Sequence, residues 1–401
     1  MPVKDSRRVS LVLAFAGMGV TASVVPAVLP SLAADSGLPL ADYLDVVPAL
    51  FGGLFLGVLL STLLARYWSA HVILTAGALF QFAGFVSIAL VVAPSQLVGA
   101  SFVTGVGFGL AEAAGSVLGK AVAAARTTSL LAALTGTVAA VAAVCPLILA
   151  VILVDGNTRL LVAAAGLIHL ASAALVAANR TAFRTPVAVT PTSVGALPER
   201  SGLVLTIIGV GFALFLYVGV ETVFSGWSAV VATELLRLEP ATAALGTSAF
   251  WALMAAGRFV AWLVLKTKLA PVAYLLINCG VATLALAASA ILAPDGGLSS
   301  VLGICVTIVC LAPCYSLILG IGLSRMQLTD AARTTGFLVA AGAAGGSTIP
   351  LLLLTVSREP AGQLVIAATA CLMLLLFLGT LAAAIRRPRS RTEPQPAQTR
   401  T

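Results

Sequence analysis

The chain has 401 residues, of which 60% are hydrophobic and 9% charged, with a mean hydropathy of +1.11. Soluble domains carry about 25% charged residues, so these values exclude an ordinary water-soluble enzyme or binding module and indicate a polytopic membrane protein. In a soluble protein the net charge of +8 would suggest a nucleic-acid partner; here it lies in short loops and a tail, where it orients spans and meets anionic lipid, and no nucleic acid is expected.

The apolar runs predict an all-α protein of twelve transmembrane helices. In the first half they are 9–33, 44–65, 71–93, 96–122, 129–154 and 159–178. The second half gives 203–232, 241–265, 270–293, 298–322, 335–356 and 361–384. At about 20 residues per span these leave only short loops, with no room for a soluble catalytic domain. The first run is too long for a signal-peptide core, although Ala33 and Ala34 resemble a cleavage site, so it reads as an uncleaved helix. Between the halves, Asn179 to Ser201 contains Pro186, Pro191, Pro198 and three arginines and reads as a linker. The expected division is a bundle over 1–180, a linker over 181–201, a second bundle over 202–385 and a basic tail over 386–401.

Of 22 Lys and Arg residues, 19 fall in alternate gaps and tails; Arg159, Arg237 and Arg358 are the exceptions. Basic residues resist translocation, so this segregation predicts cytoplasmic termini and a multi-pass protein of the cell membrane, with no basic residue at mid-membrane. The two halves echo one another: Ala124-Ala125-Arg126-Thr127-Thr128 recurs as Ala331-Ala332-Arg333-Thr334-Thr335, and the helices that follow carry Pro146 and Pro350. Glycines at four-residue spacing, such as Gly53 with Gly57 and Gly105 with Gly109, predict close helix contacts. The six cysteines all sit in apolar runs and read as packing residues. Cys310 and Cys314 share a helix face without acidic or histidine neighbours, so no metal is expected.

Twelve of the 14 acidic residues lie in or beside connections, leaving Glu112 and Glu221 inside spans. A charge at a helix centre costs about 2.5–3.5 kcal/mol on insertion scales, so each needs a cavity, a partner or a proton. A carboxyl that alternates between water and burial can load and release a proton. On a helix, Phe108, Glu112 and Ser116 share one face, as do Tyr217, Glu221, Phe224 and Ser228. The first face combines a ring, a proton carrier and a hydroxyl; the second reads as a ligand-lining stripe or as packing. Arg258 has a stem long enough to snorkel to the interface. His71 and His169 have no acidic or cysteine neighbours in sequence and are assigned no role.

The six-plus-six arrangement, the linker and the repeated half resemble the major facilitator superfamily of secondary transporters over essentially the whole chain. Tyr217-Val218-Gly219-Val220-Glu221 with Gly226-Trp227, then Ser248-Ala249-Phe250-Trp251 and Gly257-Arg258, resemble the fucose permease and related sugar symporters, as does Leu110 to Ser116. The resemblance implies two pseudo-symmetric six-helix bundles, proton coupling at Glu112, no cofactor beyond the proton, and a small-molecule solute bound between the halves. Glu221, Tyr217, Phe224, Ser228, Phe108, Ser116 and Trp251 are the expected solute-binding residues, and Arg66 and Arg258 the expected gating residues. The superfamily signature between spans two and three departs here to Ser61, Ala65-Arg66, Trp68 and Ser69, so that only Arg66 is retained. Ser116 stands where the fucose permease pattern has an asparagine. Deep amides are limited to Gln81 and Asn278, few for a polyhydroxylated solute.

Uptake of a sugar-like solute by proton symport is the leading expectation. The alternative is proton-antiport efflux of an amphipathic compound, although the glycine-proline signature of many drug exporters is absent around Gly136 and Cys145-Pro146. Two isolated histidines and two acids on different helices supply no catalytic constellation, so an enzyme is not expected. A monomer in the lipid bilayer is expected.

Overall fold

The computed structural model describes residues 3–123, 127–153, 157–181, 183, 201–292, 297–324 and 328–385. The linker prolines, the basic tail beyond Ile385 and Arg126 lie outside them. Within lipid every backbone N–H and C=O must be satisfied inside its own segment, and these apolar runs do so as helices. The first six are α1 (Val3–Ser36), α2 (Val46–Leu64), α3 (Ala70–Leu90), α4 (Pro94–Ala123), α5 (Thr127–Ile152) and α6 (Thr158–Ala178). After them come α7 (Ser201–Leu236), α8 (Ala244–Val264), α9 (Pro271–Leu292), α10 (Gly297–Leu311), α11 (Cys314–Leu323), α12 (Leu328–Val356) and α13 (Gln363–Ile385). Together they provide twelve spans long and apolar enough to cross a membrane, because α10 and α11 are two pieces of one span broken at Ala312 and Pro313.

Helices α1–α6 pack as one bundle and α7–α13 as a second. Small residues let the axes approach: a methyl group added at Gly105 of α4 would run into the Leu50 carbonyl of α2, so the expected glycine seam is real at this pair. The even number of spans puts Val3 and Ile385 on one face, here termed the terminal face, opposite a far face.

The bundles meet at the far face. Ser31 of α1 donates to the Pro240 carbonyl (3.0 Å), Trp227 of α7 to Leu44 (3.4 Å) and Ser347 of α12 to Pro48 (3.1 Å). Arg358 pairs with Asp45 and also donates to the Ala41 carbonyl (3.3 Å). A large apolar core includes residues of α1, α2 and α7 and runs on through the second bundle, with Trp227 wholly buried. The second core, nearer the terminal face, is drawn from α1–α6 and Phe183 with Ala343 as its one buried residue from the other bundle. Among the described residues, the hydrogen bonds and the ion pair that join the two bundles thus lie at the far face.

Two of the three exceptions to the charge segregation have structural work at this face. Arg358 makes the ion pair just described, and Arg159 donates to the Val91 carbonyl at the end of α3. Arg237 ends α7 in the left-handed region, with φ of 54°.

Candidate functional site between the bundles

Each bundle turns one acidic side chain into its interior. On α4, the faces carrying Gly105 and Gly109 and carrying Gly107 and Ala111 are taken up by α2 and α3, and Gly115 packs on Phe15 of α1. Glu112 falls between the α2 and α1 contacts and is half-buried. Phe108 on the same face is 9% exposed, and Ser116 is half-buried.

On α7, Gly219, Phe215 and Thr222 pack on α12, which leaves the opposite face for Tyr217 and Glu221. Tyr217 is fully buried beside the Glu221 carboxyl, and in this conformation its hydroxyl makes no well-aligned hydrogen bond. Its ring lies 6.0 Å from that of Tyr315 on α11, tilted by 51°. Tyr315 is half-buried and within electrostatic range of both Glu112 and Glu221. One ring is therefore within electrostatic range of carboxyls supplied by both bundles. The sequence reading did not single out Tyr315. Its one signal was its place just after Ala312-Pro313, where a break frees the start of α11 to approach the middle of the molecule.

Arg258 has an electrostatic partner that its own helix does not announce. It lies fourteen residues into α8, and Glu221 fifteen residues before the end of α7, so both are roughly 21–23 Å from their far-face ends at the helical rise of about 1.5 Å per residue. The arginine is exposed yet interacts electrostatically with Glu221 and Tyr217. It also stands six residues before the end of α8, within an arginine stem's reach of the terminal-face interface. Trp251, two turns earlier on the same face of α8, is half-buried and its Nε1 has no hydrogen-bond partner; neither has the Ser248 hydroxyl one turn before it.

The remaining predicted residues fall elsewhere. Phe224 is 4% exposed within the larger apolar core. Ser228 is buried and satisfied by Thr247 (2.9 Å) and the Ser225 carbonyl (3.1 Å). Both are turned into packing in this conformation. Arg66 is exposed in the α2–α3 connection, remote from the two carboxylates.

The two deep amides are also engaged. Gln81 accepts from Thr21 of α1 (2.7 Å), whose hydroxyl also contacts Nε2 of His169 on α6 (3.2 Å); all three are buried. His169 thus has a structural role inside the first bundle. Asn278 donates to the Tyr274 carbonyl one turn back on α9 (2.8 Å). Cys314 donates to the Cys310 carbonyl (3.2 Å) across the break in span ten.

No protein-family model and no curated protein matches this sequence. Solved structures do share its fold. The peptide transporter POT in complex with sulfate superposes with a TM-score of 0.76 at 16% identity, over 95% of this chain and 94% of that one. For the xylose transporter XylE from E. coli, in a partially occluded inward open conformation, the TM-score is 0.73 at 14% identity over 98% and 100%. The nucleoside transporter NupG gives 0.71 at 10% over 95% and 99%. At these identities the likeness shows the fold: this is a multi-pass membrane protein with the twelve-span architecture of secondary transporters, the major facilitator fold that the sequence resembles.

Proposed function

We propose that the protein is a proton-coupled secondary transporter of a small organic solute, working by alternating access, with Glu112 as the proton carrier. The observation that supports this reading is that two in-span carboxyls, Glu112 from one bundle and Glu221 from the other, both lie within electrostatic range of Tyr315. A site shared by two bodies is remade whenever they rock, so its proton affinity and its solute affinity change together. In this reading the protein lies in the cell membrane with its terminal face cytoplasmic, an orientation supported by the charge segregation, and the conformation is then the inward-open one. Glu221, Tyr217 and Trp251 bind solute in this reading. Arg258 links Glu221 to the moving α8, and Arg66 acts at the cytoplasmic face. The protein acts as a monomer and not as an enzyme.

Symport of a sugar-like solute follows from the sequence resemblance, and exchange of an amphipathic compound is the second reading. The second is favoured by a specific observation: Gln81 and Asn278 make their hydrogen bonds inside their own bundles and leave a polyol few partners. In proteoliposomes, Glu112→Gln is expected to give a folded protein that no longer accumulates solute against a gradient when a proton gradient is imposed. Undiminished accumulation would remove Glu112 from the mechanism. Glu221→Gln is expected to weaken solute binding, and unchanged affinity would return Glu221 to a packing role.

A further inference from the structure

We infer that the far face carries a divalent-cation site between the two bundles, built around Asp35 and Glu239, and that an ion bound there holds that face shut. The site stands on a cavity of its own; its effect on the cycle rests on the alternating-access reading above.

The cavity has a volume of about 410 Å³, and both bundles supply its wall. Asp35 at the end of α1 and Thr158 at the start of α6 come from the first, Glu239 and Thr242 of the α7–α8 connection from the second. The hydrogen bond from Ser31 to the Pro240 carbonyl (3.0 Å) joins the wall across the seam. Each carboxylate therefore comes from a different body, and the pair is assembled only while those bodies meet here. The backbone of Glu239 is held by its turn: its carbonyl accepts from the Thr242 and Ala243 N–H groups (both 2.9 Å) and from the Thr242 hydroxyl (3.0 Å).

Charge selects the occupant. Asp35 and Glu239 are both exposed, and neither makes an ion pair among the described residues. The basic residues nearest in sequence do not line the cavity: Arg159 is engaged with the Val91 carbonyl, and Arg237 ends α7, exposed. The last turn of α1 holds no basic residue, so the negative end of its dipole adds to the field at Asp35. The opposite, positive end of α6 is met by its own cap, Asn157 Oδ1 accepting from the Leu160 N–H (3.0 Å). Two like charges brought to one cavity oppose the meeting of the bundles, and one doubly charged cation neutralises both.

Thr158 is the second sign of an occupant. It lines the cavity, is only 3% exposed, and its hydroxyl has no hydrogen-bond partner among the described residues. A buried hydroxyl without a partner costs free energy, and an ion or its bound water would satisfy it. Carboxylate and hydroxyl oxygens are hard donors, and no histidine or cysteine lines the cavity, which favours an alkaline-earth ion over a transition metal. Two carboxylates and a hydroxyl leave coordination positions to water, for which the cavity has room.

The test is calorimetry on the purified full-length protein with calcium chloride, with sodium chloride at matched ionic strength, and with putrescine, an organic dication. Calcium is expected to bind saturably with a Kd of roughly 0.1–1 mM, the range of extracellular oxygen-ligand sites. Asp35→Asn and Glu239→Gln, each checked for a monodisperse elution profile, should weaken it about tenfold or more, and the double variant should abolish it. Spin labels on the α1–α2 and α12–α13 connections then report the populations, in a Trp227→Ala background that keeps both measurable. Calcium at ten times its Kd should raise the ratio of closed to open far face by up to about elevenfold, as for a ligand of one state alone. No saturable calcium binding, binding unchanged in the double variant, or putrescine binding tighter than calcium overturns the site. An equal shift with sodium chloride, or calcium binding that leaves the populations unchanged, overturns the latch. Calcium binding by a protein that moves neither proton nor solute removes the transport reading and leaves the site standing.

Discussion

At the scale of single residues, polar side chains inside the spans divide into those a neighbour satisfies and those it does not. Thr21, Gln81 and His169 tie α1, α3 and α6 together. Hydrogen bonds between transmembrane helices are worth about 0.6 kcal/mol on average and at most roughly 1.7. Thr21→Val removes the partner of two buried groups at once and is expected to cost about 1 kcal/mol, seen as a lower thermal midpoint in detergent, with solute affinity unchanged. A fall in affinity instead would place this cluster in the solute site. Periodicity grouped Phe108 with Glu112 and Tyr217 with Glu221, because helical spacing fixes which residues share a face. It could not tell that Gln81 and His169 find each other through Thr21, since their sequence separations of 60 and 148 from it carry no local signal. The electrostatic partner of Arg258 was hidden for the same reason: Glu221 lies on another helix.

At the scale of helices, the span boundaries were legible because lipid enforces both length and apolarity; most ends fall within a few residues of those read from hydropathy. The irregularities inside the spans were harder to read. Pro313 interrupts span ten, and its consequence, a separate α11 carrying Tyr315 to the centre, depends on packing against α7 and α9. The kink in α7 at Trp227, with φ of −113° and ψ of 15°, has no proline to announce it. It occurs where Gly226 abuts Val47 of the other bundle and the indole reaches the Leu44 carbonyl. Contact between bundles supplies what the local sequence does not. A proline removes one backbone donor and crowds the preceding turn, so Pro313→Ala is expected to let α10 and α11 fuse. Solute binding should then persist while the turnover rate drops several-fold, measured as counterflow in proteoliposomes. An unchanged rate would mean that the break is not used in the cycle.

At the scale of the whole molecule, the two-bundle plan was legible from the repeat and the charge segregation, whereas the conformation was not. Which face is closed depends on a small free-energy difference between two packings of the same helices, and hydropathy is blind to it. The closure here combines a half-exposed ion pair, Arg358 with Asp45, with the Ser31, Trp227 and Ser347 hydrogen bonds and the packing of Trp227. An exposed ion pair is worth only about 0.2–1 kcal/mol, which corresponds to a population shift of at most roughly fivefold. The buried indole and the apolar core around it must therefore hold most of the closed state. Asp45→Asn is expected to shift the equilibrium toward the far-open state by less than about fivefold, and Trp227→Ala by considerably more, since it empties a fully buried site between the bundles. Distances between spin labels on the α1–α2 and α12–α13 connections, both at the far face, measure the populations directly. If Asp45→Asn alone opened the far face fully, the ion pair rather than the indole would be the principal latch, and α1–α2 would be held by charge instead of by packing.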